Sequence, residues 1–305
     1  MIERSPIFDA VTYLAMAIGA FLVVVPFWIT LVAGSQSLQE VSQVPINLLP
    51  SSHLWENLQV AWARADLGPK MINSFIVAVG VTVGKIVLAS LSAFAIVFFN
   101  FRGRMISFWL IFITLMLPLE VRIVPTYAIA ANAFLPFQVI LDTLGITGLV
   151  EAVSSVRISL EWNLLNSYTG LILPLVATAT GTFLYRQFFM TIPDELVEAS
   201  KMDGASPVRF FFDVLLPLSR TNMLALATIM FVSSWNQYLW PLLITTDRAT
   251  YGTVVMQLKA LIPAQNGTPD WNVTMAGALI IMLPPLLVVA FMQRWFVRGL
   301  ITRDK

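Results

Sequence analysis

Six stretches of this chain, at about 11–33, 71–99, 106–130, 167–190, 221–245 and 273–297, run apolar for more than twenty residues each. A helix needs about 20 mostly apolar residues to cross the hydrocarbon core of a bilayer. Within the stretches the apolar side chains follow one another almost without interruption, so they lack the alternation of a membrane-barrel strand. Packed together in water, they would need a polar shell. The chain cannot supply one: 58% of its 305 residues are hydrophobic and 11% charged, against about 25% charged in an ordinary soluble domain. The expectation is an all-α fold: a single polytopic membrane unit over 1–305, with six transmembrane helices and no separate soluble domain.

Basic residues in the loops set a sidedness. With the N-terminus in the cytoplasm, the segments 1–10, 100–105, 186–220 and 293–305 hold eleven Lys and Arg in 64 positions. The outer segments 34–70, 130–166 and 246–272 hold five in 101. Both termini are therefore expected inside. The first span is expected to stay uncleaved, because its apolar run exceeds the roughly 7–15 residues of a signal-peptide core. Apolar clusters in the second outer segment, such as Phe134-Leu-Pro-Phe and Val139-Ile-Leu, predict a short helix on the membrane surface.

Several chemistries are excluded at once. There is no cysteine, so no disulfide, thiol nucleophile or cysteine-bound metal can form. The one histidine, His53, has no second histidine to share a metal and reads as a solvated loop residue. A net charge of +1 gives no basic field for nucleic acid. No nucleophile–base pair or hydrolase serine motif is present, and Glu195 and Glu198 lie in a loop without a pocket-forming domain. Neither a catalytic residue nor a metal ligand is expected.

The most informative loop runs from 186 to 220. Thr191 and Asp194 form an [ST]-x-x-[DE] capping signal with Pro193 in the first turn. Glu195, Glu198, Ala199 and Met202 recur at helical spacing and make a small, acidic face. Gly204 frees the chain to end that helix. Ser206-Pro207 opens a second helix, which Pro217 is expected to stop. Two short helices around a glycine bend suit a loop that is gripped: small residues permit close approach, and Glu198 and Asp203 offer charge-assisted contacts. A helix resting on lipid headgroups would favour a Lys/Arg-rich polar face instead.

Glu198-Ala199-Ser200-x-x-Asp203-Gly204-Ala205, with Pro217 downstream, resembles the EAA motif of permease subunits in bacterial ATP-binding-cassette importers. Met292-Gln-Arg-Trp-Phe-Val-Arg-Gly299-Leu300 and Trp235-Asn-Gln-Tyr-Leu-Trp-Pro241 resemble the carbohydrate-uptake, maltose/glycerol-phosphate-type branch. The runs FWLIFITLMLPLEVRI (108–123) and FLYRQFFMTIPDELVEA (183–199) resemble its glycerol-phosphate-type members. The likeness covers most of the chain from about Met71 to Leu300. It departs at Ser200, a small-for-small change, and between Pro125 and Ser167, where a stretch around 150–166 is added.

The resemblance implies a type I importer permease fold in the bacterial inner membrane, working by alternating access. Residues 191–217 would be the coupling loop, with Glu195, Glu198, Ala199, Asp203 and Gly204 contacting a cytoplasmic ATPase. The implied partners are a second permease subunit, an ATPase dimer and a periplasmic substrate-binding protein. No cofactor is expected in this chain; ATP and Mg would be bound by the ATPase, since no G-x-x-x-x-G-K-[ST] motif occurs here. The implied cargo is sn-glycerol 3-phosphate or glycerophosphodiesters, with a neutral oligosaccharide or polyol as the alternative. A stand-alone secondary transporter would leave the EAA-type loop unexplained.

Three ionisable residues fall inside spans: Lys85, Glu120 and Arg122. Such groups cost about 2.5–3.5 kcal/mol each at a helix centre and mark pathways by default. Lys85 and Arg122 could attract a phosphate; alternatively, Glu120 pairs with Arg122 or a neighbouring subunit to fix packing. Trp235, Asn236, Gln237, Tyr238 and Trp240, near the outer end of the fifth span, could form a gate, a solute-contacting wall or an interfacial anchor.

Overall fold

A computed structural model describes residues 6–45, 47–114, 117, 119–156, 159–177, 179–262 and 269–301. Among them every regular element is a helix and no strand occurs, in keeping with the all-α expectation. Three helices are long and apolar enough to cross as single rods: Pro6–Ser35, Leu67–Phe98 and Trp271–Ile301. At 1.5 Å per residue, roughly 30 residues reach about 45 Å, more than the hydrocarbon thickness.

The other three expected spans are broken rather than continuous, and prolines account for it. The stretch 106–130 becomes Arg104–Ile113 and Leu119–Ala131. Leu117 precedes a proline, which steers it away from helical geometry. Beyond it, Leu135–Thr143 turns 81° from Val121–Ala131. The stretch 167–190 becomes Tyr168–Val176 and Ala179–Phe189. Pro174 has no N–H for the Gly170 carbonyl four residues back, and the Trp240 indole Nε1–H donates to that carbonyl instead, at 3.1 Å. The stretch 221–245 becomes Arg220–Trp235 and Leu239–Ile244. Its restart puts Pro241 in a first turn, where a missing N–H costs nothing.

The chain forms two compact units. The first is drawn from Met1–Met71 and Val254–Pro284. Within it the first span is buried only at Val32, Ala33, Gly34 and Ser35; the rest of the helix presents its apolar side chains outward, as a lipid-facing rod should. Gly34 is pressed to the sixth span so closely that a Cβ would stand 3.1 Å from the Ala276 nitrogen. Asn57, on the Leu54–Arg64 helix, secures the corner by donating to the Gly34 carbonyl (2.9 Å) and the Gln36 carbonyl (2.8 Å). Its own oxygen accepts from Asn272 at 2.9 Å.

Asn57→Ala leaves two buried carbonyls and an amide without those partners. At about 1–3 kcal/mol for a stranded group, a loss of roughly 3 kcal/mol is expected, read as a lower melting temperature of the purified protein. An unchanged melting temperature would remove this network from the contacts that hold the unit together. Nearby, Ser37 caps a short turn, and its backbone N–H holds the Glu40 carboxyl below the usual carboxylate range.

The second unit is drawn from Ile72–Thr253 and Pro285–Lys305. One core joins Val77, Val81, Ala130, Leu171, Trp240 and Ile244. Another joins Ala89, Ala93, Phe94, Tyr185, Phe189, Phe210, Phe211, Leu215, Leu226 and Met230. Between them the Leu67–Phe98 helix meets Tyr168–Val176 without room for side chains: a Cβ would stand 2.6 Å from Ile172 at Gly80 and 2.7 Å from Val176 at Gly84. The outer segment holds two short helices, Leu135–Thr143 and Ile146–Ser154, where one was expected. Gly145, at φ +71°, makes the corner between them. The added stretch then returns without regular secondary structure over 159–164, clipped by Asn132, which donates to the Leu160 carbonyl and accepts from the Trp162 N–H.

Candidate functional site

The 186–220 loop folds as two helices around a bend. The first, Asp194–Met202, begins later than its capping signal suggests. The Thr191 hydroxyl donates back to the Phe188 carbonyl at 2.7 Å, so it is not free to cap, and extended Pro193 occupies the N-cap without a side-chain bond. Asp194 and Glu195 therefore sit in the first turn, where the helix dipole favours negative charge.

The exit is a Schellman turn: Gly204, at φ +72°, donates to the Lys201 carbonyl, and Ala205 to the Ser200 carbonyl, both at 3.0 Å. The Ser206 hydroxyl then accepts from the Arg209 N–H, and Pro207 opens the second helix as expected. Pro217 does not stop that helix. A π-turn over Phe211–Leu215 shifts the hydrogen-bond register, and Pro217 falls in the first turn of the next segment, so the helix ends at Leu218. A 75° corner follows, into Arg220–Trp235.

Glu195, Glu198, Ala199, Asp203 and Gly204 all lie exposed on this one loop, together with Leu196 and Met202. The loop thus offers carboxylates, small residues and apolar side chains, Val208 and Phe212 among them, to whatever covers it. Its inward side is fastened by Phe210 and Phe211.

The pathway candidates are less uniform. Lys85 is half-buried on the second span, and Arg122 is exposed on Leu119–Ala131. Among the described residues neither forms an ion pair. The Glu120 side chain lies outside the described residues. Trp235 is buried and stacked on Phe231 with ring centroids 5.9 Å apart, and Trp240 is buried against Gly170. Asn236 is exposed and Tyr238 half-buried. The two tryptophans thus sit in the interior, behind the polar pair. Sequence reasoning missed Arg186, whose guanidinium lies 4.3 Å over the Phe108 ring. The signal was faint, since only their shared likeness to known permeases connected the two runs.

Residues 85–302 match the family of binding-protein-dependent transport system inner membrane components. The chain belongs to that family. Its similarity to the sn-glycerol-3-phosphate transport system permease protein UgpE of Pectobacterium atrosepticum is 47% identity over the whole of both chains. The same-named proteins of Yersinia enterocolitica and of Escherichia coli O6:K15:H31 are 45% and 44% identical, again over both full lengths. In fold it resembles a chain from the crystal structure of a bacterial ABC transporter involved in the import of the acidic polysaccharide alginate. The TM-score there is 0.70, covering 97% of this chain and 99% of that one, at 20% identity. This inner membrane component is thus a non-catalytic, multi-pass permease that works with a binding protein and an ATPase.

Proposed function

We propose that this chain is one of two permease subunits through which an ATP-driven importer moves sn-glycerol 3-phosphate inward by alternating access. Both termini face the cytoplasm, as the basic loops favour. The 191–217 loop seats on one subunit of an ATPase dimer, which binds the ATP and Mg, and a periplasmic binding protein delivers the solute to the opposite face. The observation that carries the mechanism is the exposed glycine bend between two capped helices, with Glu195, Glu198, Ala199 and Asp203 around it. The full-length likeness to sn-glycerol-3-phosphate permeases supports the cargo.

Lys85 and Arg122 add a physical reason for a phosphate. Cations on two membrane-spanning stretches each carry a high desolvation cost. A phosphate monoester, carrying about −1.5 to −2 charges at pH 7, placed between them relieves both. Asn236 and Tyr238, backed by Trp235, are suited to contact the glycerol hydroxyls.

ATPase activity of the reconstituted four-component complex across a solute panel tests the reading. sn-Glycerol 3-phosphate is expected to stimulate hydrolysis and neutral sugars are not; stimulation by sugars alone would keep the importer and discard the phosphate. Arg122→Ala is expected to raise the half-saturating concentration of sn-glycerol 3-phosphate about tenfold, worth roughly 1.4 kcal/mol, while a neutral polyol is little affected. Equal loss for both would return Arg122 to a structural role.

A further inference from the structure

The loop touches the rest of its unit at very few places. From 193 to 213 the only buried side chains are Phe210 and Phe211, 7% and 4% exposed. Both meet the second span. The Phe211 ring lies 5.0 Å from Phe94, and the Phe210 ring meets Phe98 edge-on at 5.5 Å. Phe94 and Phe98 are four residues apart, on one helix face, with rings 5.6 Å apart. Phe189, from the helix that leads into the loop, closes the group against Phe98 at 5.9 Å.

The chain itself makes a poor lever. Downstream of Phe211 it passes through a π-turn, a proline and a 75° corner. Upstream it leaves its helix at Phe189 and reaches the loop through an extended proline. The second span, by contrast, is one unbroken helix from the rings to Lys85, nine residues or about 13–14 Å away. At Lys85 that helix is clamped to Tyr168–Val176 through Gly80 and Gly84. Aromatic rings are stiff, with two side-chain torsions and preferred edge or offset geometries, so a push on one is passed to the next with little give.

We propose that Phe94, Phe98, Phe210 and Phe211 form the joint through which movement of the coupling loop reaches the Lys85-bearing helix. These are positioning residues; none touches solute or ATP. The inference rests on the reading of the loop as the ATPase contact, and it adds the route from that contact into the membrane.

The test is Phe211→Ala in the complete complex, reconstituted with its ATPase, second permease and binding protein, and assayed with sn-glycerol 3-phosphate beside the unaltered complex. Every exposed residue of the loop is retained, so the ATPase is expected to remain bound and to hydrolyse ATP. Solute moved per ATP should fall between about 2- and 30-fold, the range that disrupted coupling networks give. An unchanged ratio, or hydrolysis and transport falling in equal proportion, would overturn the proposal. Loss of the ATPase from the complex would also overturn it, since the rings would then serve docking. Should Phe211→Ala fail to accumulate, Phe94→Leu keeps the site apolar and much of its volume, removes one ring and is judged by the same ratio. Failure of the underlying functional reading shows separately, as an unaltered complex that sn-glycerol 3-phosphate does not stimulate.

Discussion

Gly204→Pro is expected to bring solute uptake down to background and to weaken co-purification of the ATPase, while the chain still inserts into the membrane. Gly204 holds φ at +72°, whereas a proline ring fixes φ near about −65°. Proline also removes the N–H that donates to the Lys201 carbonyl and steers Asp203 away from helical geometry. The Schellman turn cannot survive these changes, and with it goes the angle at which Glu195, Glu198 and Asp203 are presented. Insertion is spared because nothing lies within 4 Å of a Cβ built at Gly204. Gly204→Asn is the informative companion, since asparagine tolerates the left-handed region and should keep much of the uptake. Full transport by the proline variant would sink the coupling assignment.

Gly170→Ala is expected to do the opposite: to damage the fold while leaving the loop untouched. A Cβ there would run into the Leu164 carbonyl, which is backbone, and would reach Ile244 at 3.0 Å. Overpacking typically costs about 1–3 kcal/mol, and a clash with backbone belongs at the upper end. Gly170 is also where the Ser167 hydroxyl caps its helix and where Trp240 replaces the bond denied by Pro174. Protein level in membranes and the melting temperature of the purified complex should both drop clearly. An alanine variant that melts like the parent would mean that the Leu164 backbone yields more readily than its hydrogen bond to Ala130 suggests.

What the sequence made legible follows from periodicity and caps. Length and apolarity picked out three stretches that fold as rods long enough to cross and three that fold as broken helices, and Gly204, Ser206 and Pro207 marked the bend and restart of the loop. The breaks within spans were harder to read. A proline such as Pro174 only states that a carbonyl is orphaned; which distant donor relieves it, here Trp240, is a tertiary fact. Thr191 shows the same limit, because its hydroxyl had two local carbonyl and amide choices and took the preceding helix. The phenylalanines at 94, 98, 210 and 211 looked like ordinary apolar filling until the fold set their rings against one another.

The first compact unit is discontinuous, and that orders its assembly on the ribosome. Its two parts, Met1–Met71 and Val254–Pro284, are separated by the whole middle of the chain. Gly34 meets Ala276, Asn57 meets Asn272, and Arg64 pairs with Asp270 at 2.6 Å. None of these can form until the last helix has been synthesised. Until then the opening span lacks these partners, and the corner around Asn57 is unfinished. The final helix is the keystone, and a nascent chain stopped before it holds every residue of the 191–217 loop yet leaves its own beginning unlocked.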